Sequence, residues 1–299
     1  MNDLVSRETL DAGETRPALL AVIGYPVAHS ASPQMQQAAL DAAGIAARYV
    51  RLEVAPGRVG EALERMRALG FIGCNVTVPH KFEALAACEG VDGAARALGA
   101  VNTVRFEAAV ARGYNTDGPG FVRAIADEFG VALGDLHVVI LGAGGGAGQA
   151  LAMQCAMQGV KRLVVVNRTL DKLGPLVIRL HEVAPGAEVM PMSFEASALA
   201  GACRGCDLIV NASSVGLKPG DSAILPESCL KPQHRVYDCI YQPAVTPLLA
   251  RAAALGCRTA NGRSMLIHQG ALAFQHWFPQ TDPLAVMRAA LPEGPIAMQ

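Results

Sequence analysis

Residues 142–147 read Gly-Ala-Gly-Gly-Gly-Ala, a G-x-G-x-x-G/A string, and Gly148 follows. Gly142 permits a tight turn after a strand, Gly144 lets backbone approach a pyrophosphate, and the small third position, Ala147, lets helix and strand pack closely. The helix that follows presents free N–H groups and partial positive charge to an anion. The string lies between an apolar strand and an amphipathic helix, the context it requires; a tight βα turn without ligand is the alternative. The next strand ends in Asn167-Arg168-Thr169, with Lys172 beyond. An NAD site places a carboxylate there for the ribose hydroxyls. Two cations instead suit a 2′-phosphate and favour NADP, solvated surface charge being the other reading.

A second polar set occupies the first half of the chain. Ser30 and Ser32 stand where a strand turns into a helix with Pro33 in its first turn, a place to hold a small carboxylate. Ser32 is also a natural N-cap. Alternation puts Asn75 and Thr77 on one face of a strand end, and Lys81 opens the next helix. With Asn102 and Asp117 these groups suit a polyhydroxylated ligand.

The elements that must position these residues alternate. Strands are predicted at 18–24, 48–54, 71–77, 101–106 and 109–114, and helices at 33–43, 58–69 and 81–88. After a turn-rich boundary at 115–120, a helix at 121–129 precedes a run of βαβ units. Its strands fall at 136–141, 162–166, 207–210, 235–239 and 258–260, and its helices at 149–158 and 170–181. Such a run implies a parallel sheet with helices on both faces. Helices at 264–277 and 283–290 close the chain, and residues 1–17 read as a flexible arm.

The 299 residues suffice for two domains. Charge is balanced, 25 Lys+Arg against 26 Asp+Glu, which argues against a nucleic-acid or anionic-membrane footprint. At 52% hydrophobic and 17% charged the chain is globular, yet no apolar run approaches the ~18 residues of a membrane span. No signal segment opens it, so the eight cysteines are expected to stay reduced and the compartment is read as cytoplasmic. Cys203 and Cys206 form a CxxC without a second pair or nearby histidines, so core or loop packing is the expected role and no metal site is predicted.

The blocks GYPVAHSASP, NVTVPHK, GAVNTV, NTDG, GAGGGAG, NRT, NASSVG, YQPAVTPLL and NGRSMLIHQGALAF stand in the order found in the shikimate dehydrogenase family. The chain resembles that family from about residue 21 to 277. The resemblance implies an α/β protein of two domains with a cleft between them. Residues 18–117 plus 262–299 would form an N-terminal α/β substrate and catalytic domain. Residues 118–261 would form a Rossmann-type, doubly wound parallel-sheet domain for NADP. It further implies reversible NADPH reduction of 3-dehydroshikimate to shikimate, a step towards chorismate and aromatic amino acids.

Carried over by residue, Lys81 and Asp117 match the catalytic pair. Ser30, Ser32 and Tyr241 match positions binding the substrate carboxylate; Asn75, Thr77, Asn102 and Gln269 match those holding hydroxyls, with Asp117 beside the substrate too. Gly142, Ala143, Gly144, Gly145, Gly146 and Ala147, then Asn167, Arg168, Thr169 and Lys172, match cofactor contacts. Ser213, Cys239 and Gly262 would approach the cofactor through backbone. His29 and His80 are read as rim or packing residues.

The chain departs from the family at 34–37, Gln-Met-Gln-Gln, where His-Asn or a similar pair is usual, and at Lys172, where Arg is commoner. The expected partners are a small-molecule substrate, no nucleic acid and no membrane, with a homodimer left open. A quinate-using paralogue working with NAD(P) and a non-catalytic sensing module are the alternative readings; retention of Lys81 and Asp117 disfavours the latter.

Overall fold

In the computed structural model, which describes residues 6–291, the chain divides into two compact units. One runs to Asp117 and resumes at Ile267; the other is Gly118–Leu266. Residues 262–266, expected with the first domain, group with the second unit.

The first unit is built on a mixed sheet in the order β2-β1-β3-β5-β6-β4. Its strands are β1 (Ala18–Gly24), β2 (Arg48–Glu53), β3 (Gly73–Val76), β4 (Gly90–Val91), β5 (Thr103–Glu107) and β6 (Val110–Tyr114). β1 pairs in parallel with β2 and β3, while β5 runs antiparallel to both β3 and β6. β1 is buried along nearly its whole length, as a central strand covered on both faces must be. Ile23, Val54, Leu63, Met66 and Val104 meet in the core beneath one face. The helix Arg263–Trp277 enters this unit at Ile267, and Trp277 Nε1 donates to the Val104 carbonyl at 3.0 Å. Gly73 makes room for that indole, since a methyl there would overlap it.

The segment read as a flexible arm lies outside the described residues over 1–5. Beyond them Arg7–Asp11 is helical, and Arg48 on β2 ties the segment down by donating to the carbonyls of Leu10 and Arg16 and to Asp11.

The second unit is a fully parallel sheet in the order β12-β11-β10-β7-β8-β9, the doubly wound dinucleotide-binding arrangement. Its strands are β7 (His137–Leu141), β8 (Arg162–Val166), β9 (Glu188–Met192), β10 (Leu208–Asn211), β11 (Arg235–Asp238) and β12 (Arg258–Asn261). Cys203 and Cys206 are buried in its core beside Val139, Ile209 and Cys229, so the CxxC serves packing. None of the eight cysteines is joined in a disulfide. Among the described residues no group of three or more His, Cys, Asp or Glu side chains is arranged to hold a metal ion, and no helix is long and apolar enough to cross a membrane.

Three local readings change. The helix expected at 121–129 begins at Asp117, because Pro119 falls in its first turn, where a missing N–H costs nothing. The helix expected at 170–181 is a 3₁₀ turn, Leu170–Leu173, followed by an α-helix, Gly174–Val183, with proline in its first turn. Ser32 is not an N-cap: the helix Ser32–Ala42 starts on it and is capped by no side chain.

Candidate active site

In the first unit the loop after β1 sets the two serines. Ser30 Oγ accepts the Ser32 N–H at 3.3 Å, which holds the two hydroxyl-bearing residues in one turn. Arg51 on β2 donates to the Ser30 carbonyl through Nε and Nη2, at 3.2 and 2.9 Å. Sequence reasoning missed Arg51, whose role depends on β1–β2 pairing rather than on any motif.

The end of β3 leads into Thr77, half-buried, and then to the helix Lys81–Ala87. His80 is wholly buried and its Nε2 hydrogen-bonds the Val54 carbonyl at 2.7 Å, a packing role that anchors the start of that helix. His29 is exposed. Lys81 Nζ donates to Asp117 Oδ2 at 2.7 Å, with side chains 25% and 13% exposed. Asn115 Oδ1 accepts the Asp117 N–H at 3.0 Å while its Nδ2 donates to the Ala100 carbonyl, so the backbone that carries the carboxylate is held in place. A partly screened ammonium clamped by a fixed carboxylate can hold and deliver a proton at an oxygen placed beside it.

Asn75, Asn102 and Gln269 belong to one buried hydrogen-bond network in this unit. Tyr49, Thr103 and Thr116 complete it, and none of these three was singled out from the sequence. Their signal was lacking because each comes from a different strand or loop.

In the second unit a cavity of about 630 Å³ opens at the carboxyl ends of β7, β8 and β10. Gly142, Gly144, Gly145, Asn167, Arg168, Thr169, Lys172 and Ser213 all line it. Gly142 has φ +80° and a side chain there would press on Ser213; a methyl on Gly144 would stand 2.6 Å from the Asn167 amide. The loop thus keeps an open cradle that side chains would fill. No side chain caps the helix Gly146–Met157 behind it. The fit to a pyrophosphate is good, and Arg168 and Lys172 stand exposed at the far end for a further phosphate. Phe194 and Ile224 add apolar wall that the sequence did not reveal. Phe194 follows β9, an unpredicted strand that contains Pro191 and is tolerated because it lies at the sheet edge.

Other predicted contacts lie elsewhere. Ala143 is buried and donates its N–H to the Val166 carbonyl; Gly146, Ala147, Cys239 and Gly262 do not line the cavity. The close-packing role expected of Ala147 belongs to Gly148: Ala147 is exposed, whereas a methyl on Gly148 would overlap the Gly142 carbonyl oxygen. Gly262 is pressed against the Cys239 carbonyl in the same way. Tyr241 lies half-buried in the loop after β11.

A family model described as the shikimate dehydrogenase substrate binding domain matches residues 22–104. Another, described as the shikimate 5'-dehydrogenase C-terminal domain, matches residues 262–291. A shikimate dehydrogenase (NADP(+)) from Symbiobacterium thermophilum is 40% identical over 292 residues, covering 96% of this chain and 97% of its own. The structure of shikimate 5-dehydrogenase from Thermus thermophilus in complex with NADP(H) and shikimate superposes with a TM-score of 0.80 at 34% identity, covering 91% of this chain and 97% of that one. A quinate dehydrogenase from Corynebacterium glutamicum in complex with NAD reaches a TM-score of 0.83 at 31% identity, covering 91% of this chain and 98% of that one. With such identity over nearly the full length of both chains, this protein belongs to the shikimate dehydrogenase family.

Proposed function

We propose that this chain catalyses the reversible NADPH-dependent reduction of 3-dehydroshikimate to shikimate, on the route to chorismate and the aromatic amino acids. The observation that carries the proposal is the Lys81–Asp117 pair, at 2.7 Å, in a chain of this family. When bound, NADPH supplies the hydride that turns the substrate carbonyl into a hydroxyl. Lys81 Nζ gives the proton to the carbonyl oxygen as negative charge grows there, and takes it back in the reverse direction. Asp117 orients the ammonium and balances its charge.

Ser30 and Ser32 hold the substrate carboxylate, with Tyr241 as a further contact; Asn75, Thr77, Asn102 and Gln269 meet the ring hydroxyls. Gly142, Gly144 and Gly145 cradle the pyrophosphate and Arg168 and Lys172 meet the 2′-phosphate, with Asn167 and Thr169 beside them. Ser213 contributes backbone. On this reading the unit carrying Lys81 is the substrate domain and Gly118–Leu266 the NADP domain. The proposal places the enzyme in the cytoplasm and leaves a homodimer open, which light scattering of the purified chain decides.

The test is initial-rate assay with shikimate and quinate, each against NADP and NAD. Shikimate with NADP is expected to give the highest kcat/KM of the four. Quinate with NAD outrunning it would overturn the proposal.

A further inference from the structure

The Tyr49 ring is buried between Asn75 and Trp277, and its hydroxyl donates to Asn75 Oδ1 at 2.7 Å. Burial holds the phenol well above its ordinary pKa, so it keeps the proton it donates. Asn75 Nδ2 donates to the Asn102 carbonyl at 3.3 Å and to Thr103 Oγ1 at 3.1 Å. Thr103 passes its own proton to Asn102 Oδ1 at 3.1 Å, where the Thr116 N–H also arrives at 2.8 Å. Asn102 Nδ2 is thereby turned toward Thr116 Oγ1 at 2.9 Å and Gln269 Oε1 at 3.4 Å.

The direction of this chain is fixed at both ends. A backbone carbonyl can only accept and a backbone N–H can only donate, so neither Asn75 nor Asn102 can flip its amide without loss. Asn75 has three hydrogen bonds inside the protein, through which it links Tyr49 to Thr103 and Asn102.

We infer that Tyr49 is a positioning residue for substrate binding: acting through Asn75 and Thr103, it fixes how Asn102 and Gln269 present their amides to the ring hydroxyls. The inference rests on the function proposed above. Its physical basis is that a buried network satisfied throughout rigidifies its members, while one missing donor leaves a costly orphan acceptor.

Tyr49→Phe removes only the donated proton. It is expected to raise KM for shikimate about 5- to 30-fold, the scale of one orphaned buried polar group, while kcat changes less than about threefold and KM for NADP is unchanged. Thr103→Val, which breaks the chain one link further on, is expected to act in the same direction. Thr103→Ser, which keeps the hydroxyl, is expected to restore wild-type KM. A purely structural role would instead lower the thermal midpoint and the active fraction without separating the two KM values. Should Tyr49→Phe fail to fold, the Thr103 pair carries the same test. Wild-type KM for shikimate in both Tyr49→Phe and Thr103→Val, or an equal rise in both KM values, would overturn the inference. A wild-type enzyme that does not oxidise shikimate would overturn the proposed function instead, and the two failures are read from different proteins.

Discussion

Lys81 and Asp117 are each the first residue of a helix, and the 2.7 Å bond between them joins two helix starts that lie 36 residues apart in the chain. Asp117 is well placed at a helix N-terminus, where the backbone favours negative charge. Lys81 depends on Asp117 and on the His80 anchor beneath it for its place. Lys81→Ala is expected to lower kcat about 10²- to 10⁴-fold, the scale of losing a positioned proton donor. Asp117→Asn is expected to cut it as well, and the double variant to cost little more than the worse single one. NADPH affinity, measured by fluorescence titration, is expected to stay at the wild-type level, since the residues assigned to it lie in the other unit. Losses that multiply in the double variant would mean the two residues work separately.

Gly148 was visible in the sequence only as the residue after the motif. The string shows that a turn and a close approach are needed; it does not show which residue of the first helical turn faces back onto the loop. The structure shows Gly148 doing so, with its α-carbon against Gly142 and Ala143. Gly148→Ala is therefore expected to destabilise the protein by about 1–3 kcal/mol, as overpacking does, and to weaken NADP binding. Ala147→Ser, at an exposed position, is expected to leave the thermal midpoint unchanged. Equal midpoints for both variants would return the packing role to Ala147.

The same contrast holds in the first unit. β1 and the parallel βαβ run of the second sheet were legible because buried strands and glycine punctuation are local signals. Asn75 was legible as a polar residue at a strand end, but its partners Tyr49 and Thr103 come from β2 and β5, and sequence spacing carries no information on sheet order. Arg51 is the clearest case: an exposed strand arginine that reaches Ser30 only because β1 and β2 are neighbours. Arg51→Ala is expected to raise KM for shikimate by about three- to tenfold through loosening of the Ser30 loop, with kcat and NADP affinity little changed. An unchanged KM would show that the loop holds its shape without the guanidinium.

Two histidines make stability depend on pH. Burial lowers the pKa of His234, with Lys231 adding to the effect, and burial likewise lowers that of His276, whose ring stacks on Tyr114 at 4.0 Å. A histidine held neutral in the folded chain takes up a proton more readily once unfolded, near its ordinary value of about 6.5. The unfolded state then binds more protons, so stability rises with pH through that region and is lost as pH falls below it. The thermal midpoint is expected to be flat above about pH 7.5 and to decline towards pH 6. His276→Gln is expected to flatten part of the decline. A midpoint that rises on acidification over this range would contradict the sign.

Cofactor choice turns on the end of β8, where Asn167 Nδ2 donates to the Thr169 carbonyl and shapes the turn that carries Arg168. No carboxylate lines the cavity among the described residues, and Arg168 and Lys172 both do. A charge-assisted hydrogen bond is worth about 1.5–3 kcal/mol, or roughly one to two decades of affinity. Wild type is therefore expected to prefer NADP over NAD by at least about tenfold in kcat/KM, with the margin shrinking as salt rises, because both cations are exposed. Arg168→Ala is expected to remove much of the preference by weakening NADP while leaving NAD almost unchanged. Lys172→Ala is expected to do less, since an ammonium is a single point charge and a guanidinium grips phosphate in two places. The deciding measurement is the ratio of kcat/KM for the two cofactors in each protein, at low and high salt. An unchanged ratio in Arg168→Ala would mean that this arginine points to solvent when NADP binds and that the selectivity has another source.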